Sequence, residues 1–579
     1  MVTTLDPHAP DNLAESPLDF THAATAAVAP LPPMDADSLC VDQVALTDAE
    51  VHEELFHAAR HRLALTWEPT DEQQRRLEDR AAEAEFSPVT PERIAELNEQ
   101  ATAFYQRCYP TSWAQTYLTD RLGGLDLTAD PNTRPGYAPG GWTTLTSHLR
   151  RHGATDTELL AAGLAKHASS GRLIDTFRDR LMLPIQHVAT HGPQVVGFVG
   201  RRNPDTDDLD PRNIEGGQLE GGEAAAASKA GPRYLNTGDT VLFAKGDQLY
   251  GMAEHRERLD TGATPVLVEG PVDALAVTYA SRDHVGLVPL GTSLTDTQAD
   301  TLMPFLDHTA GAPGVIVATD SDPAGQMAAE RDYWTLTARG ADPRHATFPD
   351  GHDPASLLRE AGPAALRAQL VASRPLAEAL VDERLAHLRP TTALSDAVSV
   401  IAAGHAAHWT QRTEDVSRRL HAPKEVALTQ LLERITTWDS DRHAASAHQV
   451  HAVNDVRQRV TAQTLLPPAT RWAYLIRQVD LNLVRADDWG ALAATLDRAV
   501  ASGHDLSTLL TEVIGTNPLA DDEPAADLRY RLMERLGADK RPMPQAVANA
   551  LATAPRGRAT TIPRATPYVR PSRDSSPRR

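Results

Sequence analysis

Short apolar runs, each followed by a turn with acid or glycine and then by a helical pattern, occupy the centre of the chain. Val266–Val268 and Val315–Ala318 are continuous apolar runs, as expected for strands buried on both faces of a parallel sheet. Such sheets collect reactive groups just beyond the carboxyl ends of their strands. The pattern therefore predicts an α/β domain with a functional site at that edge.

The flanking segments have different patterns. Strand-like runs at Arg180–Gln186 and Gln194–Arg201 follow short amphipathic helices, and helical periodicity returns after the central domain. We therefore divide the chain into a disordered leader (1–45), an N-terminal helical region (46–99), a mixed α+β subdomain (100–255, with an insertion loop at 203–231), the central α/β domain (256–372), a helical segment (373–442), a C-terminal helical region (443–550) and a disordered basic tail (551–579).

Three carboxylates follow the two central strands. Glu269 lies at the end of the first, and Asp320 and Asp322 lie in the turn after the second. Converging acids repel one another, and a hard divalent cation relieves that repulsion because it prefers carboxylate oxygens. Alternatively the acids only cap the following helices, which we favour for Asp322 taken alone. For the three together we predict a site for Mg²⁺ or Mn²⁺.

Composition limits the classes of function. The formal charge of −22 argues against a protein that coats nucleic acid by bulk charge, although a local basic groove is compatible with it. Cys40 and Cys108 are the only cysteines, so we expect neither a disulfide framework nor a cysteine-rich zinc site. We find no membrane-spanning run and no secretory signal, and we expect a cytoplasmic protein.

Ordered motifs reveal a family resemblance. EGPVDALA (Glu269–Ala276) and DSDPAG (Asp320–Gly325) resemble the two signature motifs of the Toprim domain. Further segments resemble, in the same order, the catalytic core of bacterial-type (DnaG-like) DNA primases. These segments are DRLMLPI (Asp179–Ile185), VVGFVGRR (Val195–Arg202), PRYLNT (Pro232–Thr237), VLFAKGDQLYGM (Val241–Met252), LGTSLT (Leu290–Thr295) and FPDGHDP (Phe348–Pro354). The resemblance covers residues 100–370.

The resemblance implies a fold and a set of site residues. The fold is a Toprim-type, Rossmann-like parallel sheet flanked by helices, preceded by a mixed α+β primase subdomain and followed by helical segments. The resemblance assigns the role of catalytic metal ligands to Glu269, Asp320 and Asp322, and it makes Asp350 and Asp353 second-rank ligands. In the family, basic residues line a groove that holds nucleotide and template. The resemblance assigns this role to Arg180, Arg201, Arg233 and Lys245. For Trp142 we predict a buried packing role rather than stacking on a nucleobase.

The implied activity is the synthesis of short RNA primers on a single-stranded DNA template from nucleoside triphosphates, in replication of a chromosome, plasmid or mobile element. Primases of this type usually begin with a cysteine- and histidine-ligated zinc module, and nothing in this sequence resembles one. A partner or a pre-bound template would then supply start-site selection. By analogy with the family, residues 443–550 would bind a replicative helicase, and no membrane partner is expected.

Two other classes of function stay open. A Toprim metal-dependent nuclease would use the same carboxylates, but the GxxxxGK[ST] ATPase motif that often accompanies such nucleases is missing from the sequence. A non-catalytic adaptor that binds nucleic acid or replication proteins would not need three costly convergent charges.

Overall fold

The computed structural model describes residues 48–65, 74–75, 78–79, 82, 87–189, 192–204, 231–291, 293–306, 314–320, 322–349, 351–464, 466–486, 488–502, 504, 506–515, 519–520 and 524–538. The predicted leader, the basic tail, most of the insertion loop and Asp350 lie outside these residues. All described residues belong to one unit, Leu46–Arg579. Among the described helices, none is both long and apolar enough to cross a bilayer.

The first part of the unit is built around an antiparallel sheet. Its elements are α1 (Asp48–Ala64), α2 (Pro91–Cys108), α3 (Trp113–Arg121), β1 (Gly136–Ala138), α4 (Thr144–Arg151), α5 (Asp156–Ala161), β2 (Ala165–His167), β3 (Leu173–Asp175), β4 (Arg180–Ala189), β5 (Gly192–Arg202) and β6 (Tyr234–Asn236). The sheet has the order β1-β4-β5-β6, and β2 and β3 form a separate pair. Successive apolar residues of β4 and β5 point to opposite faces of the sheet, where they join two different apolar clusters.

The second part contains the predicted parallel sheet. Its elements are α6 (Arg256–Asp260), β7 (Thr264–Leu267), α7 (Pro271–Ala280), β8 (His284–Leu287), α8 (Asp296–Leu302), β9 (Ile316–Val317), α9 (Pro323–Ala338), β10 (Arg344–His345), α10 (Pro354–Val371) and β11 (Arg374–Pro375). The order is β11-β10-β9-β7-β8, with only the β10–β11 pairing antiparallel. The mixed α/β class predicted from the sequence is confirmed.

Both faces of the parallel sheet are covered, which explains its continuous apolar runs. Val266 and Ile316 point into an apolar cluster shared with the antiparallel sheet, α7 and α10. Leu267 and Val317, one residue further along each strand, point into a cluster formed with α9 and the helices that follow the sheet. Since successive side chains of a strand face opposite sides, burial on both sides requires apolar residues throughout.

Helices complete the unit: α11 (Leu376–His387), α12 (Pro390–Ala403), α13 (Trp409–Leu420), α14 (Lys424–Ser440), α15 (Arg442–Thr464), α16 (Pro468–Arg471), α17 (Ala473–Val479), α18 (Leu481–Arg485), α19 (Trp489–Ala501), α20 (Leu506–Ile514) and α21 (Pro524–Ala538). Val51 and Leu55 of α1 join the core of α11–α15, so the N-terminal helix packs on elements more than 300 positions away. The helices from α16 onward share another apolar cluster.

Candidate active site

Glu269 and Asp320 meet at the carboxyl edge of the parallel sheet. β7 and β9 are direct neighbours, with Leu267 opposite Val317, so the turns that follow both strands emerge together. Oε1 of Glu269 accepts a hydrogen bond of 3.1 Å from the backbone amide of Asp320. The two acids that the sequence places 51 positions apart are therefore in contact.

The electrostatic environment of these two carboxylates favours protonation. Desolvation by the surrounding atoms raises the pKa of Glu269 to about 7, and the negative charges of Asp320 and Asp322 contribute to the shift. Desolvation also raises the pKa of Asp320, and the charges of Asp353 and Asp322 act in the same direction. The positive charge of Arg233 opposes that shift. A bound cation would lower both pKa values.

Gly325 allows the two turns to approach. A Cβ atom at this position would lie 2.2 Å from the carbonyl oxygen of Asp320 and 2.7 Å from Oε1 of Glu269. Real Cβ atoms do not approach backbone this closely, so any larger residue would displace one of the carboxylates. The glycine of DSDPAG is thus required by contact with both acidic turns.

Asp322 caps the helix that follows it. Its Oδ1 accepts a hydrogen bond of 2.7 Å from the amide of Gly325, and Pro323 occupies the first turn of α9. This is the capping role considered for Asp322 alone. Its charge nevertheless acts on both Glu269 and Asp320. Its role as a metal ligand stays a prediction.

A second acidic pair adjoins the first. Asp353 caps α10 through the amide of Ser356 and accepts hydrogen bonds of 2.7 and 2.8 Å from Arg121 of α3. Burial opposes ionisation of Asp353, but Arg121 and Ser356 outweigh it and lower its pKa. Asp273, in the first turn of α7, lies 3.8 Å from Arg121. Burial and the charge of Asp353 raise the pKa of Asp273 to about 8.

Asp273 and Arg121 were not predicted from the sequence. Asp273 was visible as the acid inside EGPVDALA, four positions after Glu269 and in the first turn of the helix that follows. Arg121 carried no signal, because its contact with Asp353 spans 232 positions. Asp350, the other second-rank candidate, lies outside the described residues.

The predicted basic residues occupy different surroundings. Arg180 is buried and donates to the carbonyl oxygens of Gly200 (2.8 Å) and Pro232 (2.9 Å). Burial lowers its pKa to about 10, and the charges of Arg202, Arg201 and Arg178 add to this. Arg201 is also buried. Arg233 is exposed and acts on Asp320, whereas Lys245 is exposed in the loop after β6.

Arg201 connects this basic group to the acidic edge. Its guanidinium lies 5.7 Å from the ring centroid of Tyr234. The hydroxyl of Tyr234 would be 3.2 Å from a Cβ atom on Gly270, the residue after Glu269.

Trp142 is not buried, and the packing role predicted for it is wrong: the residue is 64% exposed.

The donor set fits a divalent cation that uses few protein ligands. Within the part of the chain that the structure describes, no group of three or more His, Cys, Asp or Glu side chains is arranged to hold a metal. Mg²⁺, however, is commonly held by one or two carboxylates, water and substrate phosphates. Glu269 and Asp320 provide such a pair, and a cation would favour their ionised forms against the desolvation and the neighbouring negative charges that raise their pKa values.

Comparison with known proteins agrees with this geometry. Residues 266–358, which contain most of the parallel sheet and its acidic edge, match the Toprim-like family, so this part of the chain is a Toprim-type domain. Residues 104–256 match the N-terminal domain of the DNA primase catalytic core. The two adjacent matches confirm the family inferred from the motifs: the chain contains a catalytic core of the bacterial DNA primase type.

Individual relatives cover part of the chain. A DNA primase of Streptomyces coelicolor is 33% identical over 291 residues, which are 49% of this chain and 41% of the relative. One from Clostridium acetobutylicum is 30% identical over 303 residues, 52% of this chain and 44% of the relative. The RNA polymerase domain of Mycobacterium tuberculosis primase DnaG is 28% identical with a TM-score of 0.45, covering 57% of this chain and 99% of that domain. The chain thus spans less than half the length of these two curated relatives.

Proposed function

We propose that this protein is a primase that synthesises short RNA primers on single-stranded DNA. The observation that carries the proposal is the contact between Glu269 and Asp320 at the edge of a Toprim-type sheet, with Arg233 beside them. The primase-type subdomain preceding that sheet distinguishes this proposal from a Toprim nuclease. A role in replication also implies a cytoplasmic location.

The reaction joins the 3′-oxygen of one nucleotide to the α-phosphorus of the next and breaks the bond to the β-phosphate, releasing pyrophosphate. Glu269, Asp320 and Asp322 would hold Mg²⁺ or Mn²⁺, which supplies charge neutralisation and activation of the hydroxyl. Asp353 and Asp350 would support that site. Arg121 keeps Asp353 ionised and fixes its carboxylate at the start of α10.

Cationic residues would hold the anionic substrates. Arg233 lies close enough to Asp320 for its charge to oppose the rise in the pKa of that aspartate, so it would meet phosphate oxygens brought to the acidic edge. Arg180 and Arg201 are held in place by backbone carbonyls and aromatic rings and would contact the template backbone. Lys245 would contact nucleotide phosphates. A replicative helicase would bind residues 443–550, where the helices from α16 onward have an apolar cluster of their own.

Incorporation of labelled ribonucleotides on single-stranded DNA with Mg²⁺ tests the proposal. Asp320→Asn keeps the size of the side chain and removes its charge, and we expect loss of primer synthesis. Asp415→Asn is the matched control, because that aspartate is 47% exposed and pairs with Arg418 and Arg419 of its own helix. Undiminished incorporation by Asp320→Asn would contradict the assignment. Nicking of plasmid DNA without incorporation would instead favour the nuclease.

A further inference from the structure

Gln298 is a fully buried residue whose side chain joins two loops. It lies in the first turn of α8, and its side-chain amide donates to the carbonyl oxygens of Lys245 (3.1 Å), Gln248 (2.8 Å) and Pro289 (2.6 Å). Lys245 and Gln248 belong to the loop after β6, whereas Pro289 lies in the turn after β8. An amide nitrogen carries two hydrogens, so its donor capacity is fully used by these carbonyls. The side chain therefore connects the backbones of the two loops.

The oxygen of the same side chain is also engaged. Oε1 of Gln298 accepts a hydrogen bond of 3.0 Å from the amide of Thr295, and the hydroxyl of Thr295 accepts one of 3.2 Å from the amide of Gln298, which completes a capping box at the start of α8. The Thr295 hydroxyl in turn donates to the carbonyl oxygen of Gly246. The adjacent carbonyls of Lys245 and Gly246 are thus both held by the start of α8.

The backbone of Lys245 is held on its other side as well. Its amide donates to the carboxylate of Asp239 at 3.3 Å. The side chain of Lys245 lies against Gly291, because a Cβ atom on that glycine would be 3.9 Å from Cε of the lysine. Gly291 follows β8, and β8 runs parallel to β7, so this turn leaves the sheet at the edge that carries Glu269. Lys245 therefore lies along the carboxyl edge with its backbone fixed.

The turn under Lys245 has a strained backbone. Leu290 is buried and has a φ of 59°, in the left-handed region that bulky side chains rarely adopt. Its carbonyl oxygen accepts a hydrogen bond of 2.9 Å from the side-chain amide of Asn236 in β6, and the preceding carbonyl, that of Pro289, accepts from Gln298. Such conformations persist only where the surroundings hold them, and they cluster at binding sites.

α8 is tied to the helix that follows the second acidic turn. Arg339, at the end of α9, has a fully buried side chain that pairs with Asp296 (2.8 Å) and Asp300 (2.6 Å) of α8. Asp332 of α9 accepts a hydrogen bond of 3.0 Å from the amide of Leu294, just before α8. Since α9 begins at the turn DSDPAG, α8 keeps a fixed position relative to the acids of that turn.

We propose that Gln298 is a positioning residue for Lys245: it fixes the lysine at the carboxyl edge and so increases the affinity for a nucleoside triphosphate. The inference rests on the proposed primase function, in which Lys245 contacts nucleotide phosphates, and adds the residue that holds this contact in place. A lysine side chain has many rotamers, and fixing its backbone reduces the entropy that is lost when the ammonium group binds a phosphate. Gln298 is buried and acts only through Lys245.

Binding of α,β-methylene-ATP with Mg²⁺ and single-stranded DNA to the full chain, measured by calorimetry, tests this without turnover. We expect Lys245→Ala to weaken binding about 10- to 150-fold, the range for one charge-assisted hydrogen bond. Gln298→Met keeps the size of the side chain and removes its donors, so we expect a smaller loss of at least about 3-fold. In the Lys245→Ala background, Gln298→Met should cause no further loss. In primer synthesis, Gln298→Met should raise KM for nucleotides with little change in kcat.

Gln186→Met is the matched control for loss of a buried amide. Gln186 is 6% exposed, and its side-chain amide donates to the carbonyl oxygen of Asn132 at 2.8 Å, outside both loops. This variant should lower the unfolding temperature and leave nucleotide binding unchanged. If Gln298→Met does not fold, Thr295→Val removes the hydroxyl that holds the neighbouring carbonyl and should show the same dependence on Lys245.

Three outcomes would overturn the inference. They are unchanged nucleotide binding in the folded Gln298→Met or Thr295→Val variant, an equal loss with and without Lys245, and an equal loss in Gln186→Met. If Lys245→Ala does not weaken binding, the inference is overturned as well. Additive losses in a chain that makes primers would leave the proposed function standing. Non-additive losses in a chain that makes no primers would contradict only the proposed function.

Discussion

Glu330 of α9 and Arg384 of α11 form an ion pair in which both side chains are 1% exposed. Arg457 of α15 lies 3.1 Å from the second oxygen of Glu330 and also pairs with Glu383. Since α9 begins at the turn that carries Asp320 and Asp322, this buried network anchors α9 to the helices after the Toprim-type domain. The carboxylate edge thus depends on segments far along the chain.

Removing Arg384 should destabilise the protein strongly. Arg384→Ala leaves Glu330 buried with part of its compensation lost, and we expect a decrease of about 3–5 kcal/mol in the free energy of unfolding, measured by urea denaturation. Arg418→Ala, at an exposed pair with Asp415, should cost less than about 0.5 kcal/mol. The double variant Glu330→Leu/Arg384→Met should be more stable than Arg384→Ala. Equal effects of the buried and exposed single variants would refute this account.

Substitution of Gly325 should abolish activity while the fold survives. In Gly325→Ala the added methyl group would overlap the Asp320 carbonyl and the Glu269 carboxylate, so the two acids would move apart. We expect primer synthesis to fall by at least about 100-fold, since misplacement by about 1 Å has effects of that size. Gly490→Ala is the control, because a Cβ atom there meets nothing within 4 Å. Near-normal activity of Gly325→Ala would show that the contact is not needed.

Stabilisation by Mg²⁺ should grow with pH. The pKa of Glu269 is raised in the folded protein to about 7, so its stabilising contribution is full below the unfolded value of 4.5 and is lost as the pH rises toward 7. A cation replaces the lost proton. The increase in the unfolding temperature on adding Mg²⁺ should therefore be larger at pH 8 than at pH 5, as measured by calorimetry. Asp320→Asn should show little of this dependence; an identical dependence in that variant would place the metal elsewhere.

Arg121 should act through Asp353. It lowers the pKa of Asp353, so Arg121→Gln should raise that pKa and shift the acidic limb of the activity profile to higher pH. The measurement is primer synthesis across pH 5–9 for both proteins. Arg359 is exposed and lies on α10, the helix that Asp353 caps, so Arg359→Gln should leave the pH profile unchanged. A uniform loss of activity with no shift would indicate a merely structural role for Arg121.

The sequence by itself determined the central sheet, the turns after its strands and the acids in those turns. These features are local: a continuous apolar run, an acid and a Pro-containing helix start are encoded by neighbouring residues. The order of motifs was enough to identify the catalytic core, because each motif keeps its own spacing. The assigned roles of the nine predicted site residues stay predictions.

Only the tertiary structure decided which side chains share the site and which face solvent. Arg121 contacts Asp353 across 232 positions, and Asp273 lies 3.8 Å from the same guanidinium. No local sequence pattern encodes these contacts. Trp142 was predicted to be buried, but Asp175 holds its backbone at the surface and Arg178 covers its ring. Burial depends on what packs against a residue from elsewhere in the chain, and that is set by the fold as a whole.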